Sequence, residues 1–257
     1  MRMLPSVFIS HGSPMHALRP GAAGDAWAKL GRRLGKPRAI LIASAHWETN
    51  LPMLTGAAKP ETIHDFYNFP EPLYKLRYPA PGAPGVAQRA AFFLKEAGIG
   101  AAIDSTRGLD HGAWSPLLYM YPEADVPVVQ ISVQPALGPR HHVAVGKALK
   151  DLSKESVLVI GSGHMTHNLR DWSRGAGEPQ PYVKEFQNWV YEKMASGDID
   201  SLVDYRSRSP HGARAHPTEE HFLPLFVALG AAPQGKAERV YDAIDAGVLA
   251  MDAYLFQ

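Results

Sequence analysis

The chain contains four short apolar runs, at residues 6–10, 39–45, 126–133 and 156–162. They are nearly continuous in Val, Ile and Leu, which is typical of strands that are covered on both faces. Segments of helical periodicity lie between and after them, at residues 26–35, 86–98, 141–153 and 181–197. Strands that alternate with helices predict an α/β fold, with a central, mostly parallel (mixed) sheet and helices on both faces.

The segment at residues 59–84 breaks this pattern. It is rich in Pro and aromatic residues and has no long periodic stretch, so we predict an ordered loop and call it the aromatic loop. Its aromatic content argues against disorder. No internal repeat or linker divides the chain, and we therefore expect a single domain over residues 1–257.

Composition narrows the possible functions. The net charge of +1 gives no general attraction to nucleic acid or to an anionic membrane. No apolar run approaches the roughly 18 residues of a membrane span, so a cytoplasmic protein is expected, as a monomer or homodimer. The sequence has no Cys, which excludes disulfides and thiolate chemistry. A bound metal would need ligands from Asp, Glu or the 12 His residues.

Histidines stand where several of the predicted strands end. His11 follows the first run, His46 follows the second, and His164 and His167 follow the fourth. The carboxyl ends of parallel strands meet at the edge of the sheet where ligands bind. A lone histidine of this kind is more often a core or surface residue. Three strand ends that each carry an imidazole favour a metal site, because neutral imidazole is the commonest protein metal ligand.

Small residues accompany two of these histidines, in the stretches HGSP (11–14) and GSG (161–163). They predict either plain turns or a close approach of the backbone to a ligand. No phosphate-binding motif accompanies them.

Two more histidines lie in predicted loops. His111, in the stretch DHG, is either a turn residue or part of a site. His221 precedes Pro224, which a helix tolerates only in its first turn, so His221 is expected near a helix start. Glu219 and Glu220 beside it are either ligands or first-turn charges, and we favour the second interpretation.

Six sequence motifs occur in the same order as in one known family: HGSP, SAHWE, TIHDFYNFPEPLYKLRYPAPG, DHGAWSPL, GSGHMTHNLR and EEHFLPL. The chain resembles the class III extradiol ring-cleavage dioxygenases from Pro5 to about Leu249, and is most similar to their 4,5-DOPA extradiol dioxygenase branch. The resemblance implies that His11, His46 and His221 are the metal ligands. It also implies roles for two further histidines.

By this resemblance, His167 is the catalytic acid/base, with a role as fourth ligand left open, and His111 contacts a catechol oxygen. The implied cofactor is non-haem Fe(II), although three histidines also suit Zn(II). The implied reaction inserts O2 into a catechol such as L-DOPA and gives a ring-opened semialdehyde. His64 of the aromatic loop would then line the substrate site, or the loop is only a packed cover.

Two alternatives use the same residues differently. One is a zinc-dependent hydrolase on the same three histidines, with His167 as general base. The other is a metal-free binding homologue, which is disfavoured because histidine stands at every ligand position.

Overall fold

An eight-stranded sheet forms the centre of the protein in a computed structural model that describes residues 3–174 and 178–257. A separate pair of short strands, β8 and β9, completes the β structure of those residues. The strands are β1 (Ser6–Ser10), β2 (Ala39–Glu48), β3 (Met53–Thr55), β4 (Ala102–Asp104), β5 (Val128–Val133), β6 (Val157–Gly163), β7 (Ala237–Tyr241), β8 (Ile244–Asp245), β9 (Leu249–Ala250) and β10 (Ala253–Phe256).

The sheet is mixed, with a parallel centre. Its strand order is β4-β3-β5-β2-β6-β1-β10-β7, and the neighbours from β5 to β1 all run parallel. The antiparallel pairs are β3 with β5, β1 with β10, and β10 with β7. The predicted mostly parallel, mixed sheet is confirmed. The carboxyl ends of β1, β2, β5 and β6 therefore lie at one edge.

All four predicted strands are present, with two corrections at their ends. Strand β2 continues three residues beyond the predicted end, to Glu48, because its pairing with β5 resumes there after a register shift that follows Ala43. Strand β5 begins at Val128 rather than at residue 126. Pro127 has no N–H to donate to the ladder, although its carbonyl accepts from Ile40 N.

The helices match the periodic segments and add several short ones. Pro or Gly residues mark many of their ends, which is how the chain signals helix boundaries. No helix of the described residues is both long enough and apolar enough to span a membrane. The helices are α1 (Gly21–Leu34), α2 (Glu71–Lys75), α3 (Pro84–Glu96), α4 (His111–Met120), α5 (Gly138–Leu149), α6 (Pro181–Ser196), α7 (Ile199–Val203), α8 (Tyr205–Arg208), α9 (Gly212–Ala215) and α10 (Leu223–Gly230).

Helices cover both faces of the sheet, as predicted. On one face, Ile40 and Ile42 of β2 belong to the same buried cluster as Trp27 of α1 and Trp114 of α4. On the other face, Leu41 joins a cluster that includes residues of α3, α5 and α10. Alternate residues of β2 thus point into two different cores, which explains why the run contains almost no polar residue.

The aromatic loop is held against α4 and the sheet rather than extended into solvent. Thr62 forms a bridge with Leu109, and Gly82 forms one with Val128. The loop also contains the five-residue helix α2, which the sequence pattern did not predict. These attachments hold the loop at two places, near the start of α4 and beside the first residue of β5.

Candidate metal centre

His11, His46 and His221 meet at the carboxyl edge of the sheet. His11 directly follows β1, and its N–H donates to the carbonyl of Gly163 at the end of β6. His46 lies inside β2, where the strand has separated from β5, and not after the strand as predicted. His221 precedes α10 by two residues, so its predicted place near a helix start agrees with the structure.

The three imidazoles turn the same nitrogen toward a common point. The Nε2 atom of His46 lies 3.1 Å from Nε2 of His11 and 3.3 Å from Nε2 of His221. The ligand atoms of all three lie within 4.8 Å of one another. His11 and His221 are buried, whereas the His46 side chain is 21% exposed, so the point of convergence is reached from solvent on one side.

Hydrogen bonds on the far side of two rings determine which nitrogen carries the proton. Ser162 Oγ donates its only proton to the carbonyl of Gly112, so it accepts from Nδ1 of His11, 3.1 Å away. Glu220 Oε1 accepts from Nδ1 of His221 at 2.8 Å. Both rings are therefore Nδ1–H tautomers, and their Nε2 atoms carry free lone pairs.

The third ring, that of His46, has a carboxylate beside its Nδ1. Asp65 Oδ2 lies 3.3 Å from Nδ1 of His46. The same oxygen lies 2.9 Å from Nδ1 of His111, and Asp65 Oδ1 accepts from the backbone N–H of His111 at 2.8 Å. The Nε2 atoms of His11 and His221 are thus lone-pair donors, and the negative charge of Asp65 beside Nδ1 of His46 favours the same tautomer there.

A single metal ion fits this donor set. Nitrogens bound to one ion at 2.0–2.1 Å stand about 2.9–3.4 Å apart, which matches the observed Nε2 separations. Burial, together with the neighbouring histidines, lowers the pKa of His11 and His221 well below its usual range, and that of His46 to about 3. Three neutral imidazoles aimed at one point favour a cation between them.

His111 borders the centre at the first residue of α4. Asp110 is the N-cap of that helix, and its side chain accepts from the N–H of Ala113 at 3.3 Å. The His111 ring is buried, and its centroid lies 4.0 Å from that of His46 and 5.4 Å from that of His11. Because Asp65 accepts from Nδ1 of His111, its Nε2 is left as an acceptor.

His167 borders the centre beside His221 and is half-buried. Its ring stacks on that of His221, with centroids 3.5 Å apart and planes at 14°. Burial, and secondarily His111, lowers the pKa of His167 to about 4, so its imidazole is neutral near pH 7. His164 is fully enclosed behind His11, with 4.8 Å between the ring centroids.

His64 is separated from the histidine cluster by an aromatic layer. Its ring contacts Phe66, Tyr74 and Trp114, and its Nε2 lies 3.0 Å from the carbonyl oxygen of Leu76. Phe66 in turn contacts the ring of His111, with centroids 5.5 Å apart. A direct contact between His64 and the substrate stays a prediction.

The GSG stretch forms neither a turn nor a ligand cradle. Gly161 and Gly163 belong to β6, and a Cβ on either would lie about 2 Å from a backbone oxygen, that of Pro224 or that of His221. These glycines therefore admit the backbone around His221 and α10. The sequence could not distinguish this backbone approach from the approach of a ligand.

Sequence analysis missed the partners behind the rings. Asp65 follows His64 in the aromatic loop, and the short stretch HD was its only local signal. Ser162 was seen only as a small residue of GSG. Glu220 serves as the acceptor for His221, which is neither of the two roles considered for it.

These features define a class: an α/β protein with a candidate three-histidine metal centre at the carboxyl edge of a parallel sheet. Comparison with known proteins agrees. The family model described as the catalytic LigB subunit of aromatic ring-opening dioxygenase matches residues 5–248. The chain belongs to this family and is an extradiol aromatic ring-opening dioxygenase, an oxidoreductase. The predicted family and enzyme class are confirmed, and family membership implies a metal cofactor.

Several relatives are similar over most of their length. The chain is 41% identical to the 4,5-DOPA dioxygenase extradiol of Beta vulgaris, over 97% of this chain and 95% of that protein. It is 39% identical to the Escherichia coli K12 protein of the same name, over 89% of this chain and 85% of that one. A crystal structure of an uncharacterized protein from Escherichia coli K12 superposes with a TM-score of 0.84, at 33% identity, over 100% of both chains.

Proposed function

We propose that this protein opens the ring of a catechol beside the diol, with L-DOPA as the candidate substrate and Fe(II) held by His11, His46 and His221. The convergence of the three Nε2 atoms carries the proposal, with a hydrogen-bond acceptor behind the rings of His11 and His221 and a carboxylate beside Nδ1 of His46. We further propose that residues 1–257 form one catalytic domain.

The choice of iron follows from the reaction. When bound, Fe(II) brings the catechol and O2 together and allows electron density to pass from the ring to O2. Zn(II) fits the same three nitrogens but has no redox chemistry, so it would occupy the site without supporting ring opening. The donor set alone suits either ion.

We assign the transfer of the catechol proton to His167. Its ring lies against His221 at the half-exposed side of the centre, and its imidazole is neutral, so it accepts a proton from a hydroxyl group that arrives there. The same imidazole can return that proton after the ring opens. We assign His167 the acid/base role rather than that of a fourth ligand.

We assign the orientation of the second hydroxyl group to His111. Asp65 accepts from its Nδ1, which leaves Nε2 free to accept a hydrogen bond from a catechol oxygen that still carries its proton. The ring is buried and in contact with Phe66, so its position is fixed before the substrate arrives.

L-DOPA is proposed because the similar proteins of Beta vulgaris, Mirabilis jalapa and Escherichia coli are named as 4,5-DOPA extradiol dioxygenases. The test is an oxygen-electrode assay on protein loaded with Fe(II), using L-DOPA, catechol and a catechol with a carboxylate side chain. We expect O2 uptake and a yellow semialdehyde-type product. Hydrolysis of an ester or amide with Zn(II), and no O2 uptake with any of these catechols, would contradict the proposal.

A further inference from the structure

The carboxylate of Asp65 joins two parts of the site that come from different elements. Its Oδ2 lies 3.3 Å from Nδ1 of His46, in β2, and 2.9 Å from Nδ1 of His111, in α4. Its Oδ1 accepts from the backbone N–H of His111 at 2.8 Å. Asp65 itself belongs to the aromatic loop, so three separate segments meet at one side chain.

The shared oxygen favours the Nδ1–H tautomer of both rings, through a hydrogen bond to His111 and through its negative charge beside His46. His46 can direct a lone pair from Nε2 only while its proton sits on Nδ1, and that proton needs an acceptor. Among the described contacts, Asp65 Oδ2 accepts from Nδ1 of His111, and the same oxygen is the carboxylate oxygen that lies beside Nδ1 of His46, at 3.3 Å. An amide in its place would offer one oxygen to three N–H groups, the two Nδ1–H groups and the backbone N–H of His111, and its NH2 group would face at least one of them.

The loop presents Asp65 in a fixed place. Ile63 N donates to the carbonyl of Leu109 at 2.8 Å, and Trp114 Nε1 donates to the carbonyl of Ile63 at 2.8 Å. On the other side of Asp65, the ring of Phe66 packs against that of His111. The chain on both sides of Asp65 is therefore held in place, which fixes the position of the carboxylate.

We propose that Asp65 is a positioning residue that holds His46 and His111 in their Nδ1–H tautomers and at a fixed spacing. One carboxylate would thus set both a metal ligand and the residue that receives the catechol oxygen. This inference rests on the proposed function, since it takes the roles of His46 and His111 from there.

A purely structural role for Asp65 is the competing explanation, because its Oδ1 also accepts from the first N–H of α4. That helix, however, already has Asp110 as its N-cap, and Asp110 is in turn held by Ser44 at 2.6 Å and by Gln130. Loss of Asp65 should therefore leave the helix formed and change the two imidazoles.

The first test needs only the wild-type protein without metal. Long-range 15N–1H NMR spectra of protein labelled with 15N-histidine distinguish the two neutral tautomers, and His46→Gln and His111→Gln variants assign the resonances. At pH 8 we expect both rings as Nδ1–H. The Nε2–H tautomer at either ring in the wild type would overturn the inference, whatever the enzymatic activity.

The second test compares Asp65→Asn with Glu71→Gln. Glu71 is an exposed carboxylate of the same loop, so its variant removes the same charge far from the site. We expect Asp65→Asn to weaken metal binding about 10- to 100-fold, the usual effect of removing a group that orients a ligand, and Glu71→Gln to change it less than about twofold. Competition with a chromophoric chelator measures both.

Two further measurements concern the metal affinity of Asp65→Glu and the turnover of Asp65→Asn. Asp65→Glu keeps an acceptor oxygen and should recover part of the metal affinity, which a role in helix capping alone does not predict. At saturating Fe(II), Asp65→Asn should also lower kcat. Unchanged metal affinity in a folded Asp65→Asn protein would refute the inference. If the wild type shows no O2 uptake with any catechol, the proposed function fails, while the tautomer and affinity results still decide the positioning of His46.

Discussion

Gly163 offers the sharpest test of how the site is assembled, because it separates two backbones that must nearly touch. A Cβ at this position would lie 2.1 Å from the carbonyl oxygen of His221 and 3.1 Å from its carbonyl carbon. Both atoms belong to the backbone, so no side-chain rotation relieves the overlap. Gly163→Ala must therefore push the segment that carries His221 away from β6.

The expected cost follows from that displacement. A carbon–oxygen contact needs more than 3 Å, so the two segments must separate by about 1 Å, and such overpacking costs about 1–3 kcal/mol. The hydrogen bond from His164 N to the carbonyl oxygen of His221, 2.7 Å long, is also strained or lost, at about 1 kcal/mol. We expect a total loss of about 2–4 kcal/mol in the free energy of unfolding.

The same shift moves His221 relative to His46, whose Nε2 atoms are 3.3 Å apart. A displacement near 1 Å spoils one of the three metal contacts, so metal affinity should fall roughly tenfold or more. Urea denaturation of the metal-free protein measures the stability, and chelator competition measures the metal affinity.

Two further glycine variants serve as comparisons. Gly161 lies in the same strand as Gly163, and a Cβ there would lie 2.0 Å from the carbonyl oxygen of Pro224. Gly161→Ala should therefore lose similar stability, with a smaller loss of metal affinity. Gly85→Ala, in α3, meets no atom within 4 Å and should lower neither stability nor metal affinity. If Gly163→Ala stayed within about 0.5 kcal/mol of the wild type and bound metal equally well, the backbone contact would have no such role.

Three other variants test separate parts of the account. His46→Ala should remove most bound metal, measured by elemental analysis, because two imidazoles hold an ion far less well than three; full metal content would contradict the assignment. His167→Gln should keep metal and catechol binding but lower kcat by about 10²–10⁴-fold, the usual contribution of a proton-transfer group; weakened metal binding would make it a ligand instead. His142 accepts from Gln134 N through Nε2, and burial lowers its pKa to about 4. Since the unfolded chain protonates this histidine near pH 6.5, the folded state loses up to about 3 kcal/mol as the pH falls from about 6.5 to 4, and urea titrations of His142→Gln should show a shallower acid loss. An equally steep loss in that variant would exclude His142 as a source.

The pattern of apolar runs predicted the parallel centre of the sheet because those strands are buried on both faces. The convergence of His11 and His46 followed from the same pattern, since parallel strands end at one edge. The strands outside this parallel centre were missed for a physical reason. Strands such as β4 and β10 have only three or four residues, too few to show a period, and β10 depends on pairing with distant β1.

Long-range polar contacts were equally invisible in the sequence. Asp65 and His111 are 46 positions apart, and only the path of the aromatic loop brings them within 2.9 Å. The continuation of β2 through His46 was missed because His and Glu beside Trp resemble the start of a loop, whereas pairing with β5 resumes at Glu48. Such features depend on tertiary contacts that no local pattern encodes.

The most direct test of the account follows the oxygen atoms. Protein loaded with Fe(II) is mixed with a catechol under 18O2, and the ring-opened product is analysed by mass spectrometry. Insertion of O2 beside the diol predicts 18O from O2 in the newly formed carboxylate. A parallel reaction in 18O-labelled water should put no label there. His46→Ala should give no product. A product that carries oxygen only from water, or a quinone formed with release of hydrogen peroxide, would contradict ring-opening dioxygenation at this centre.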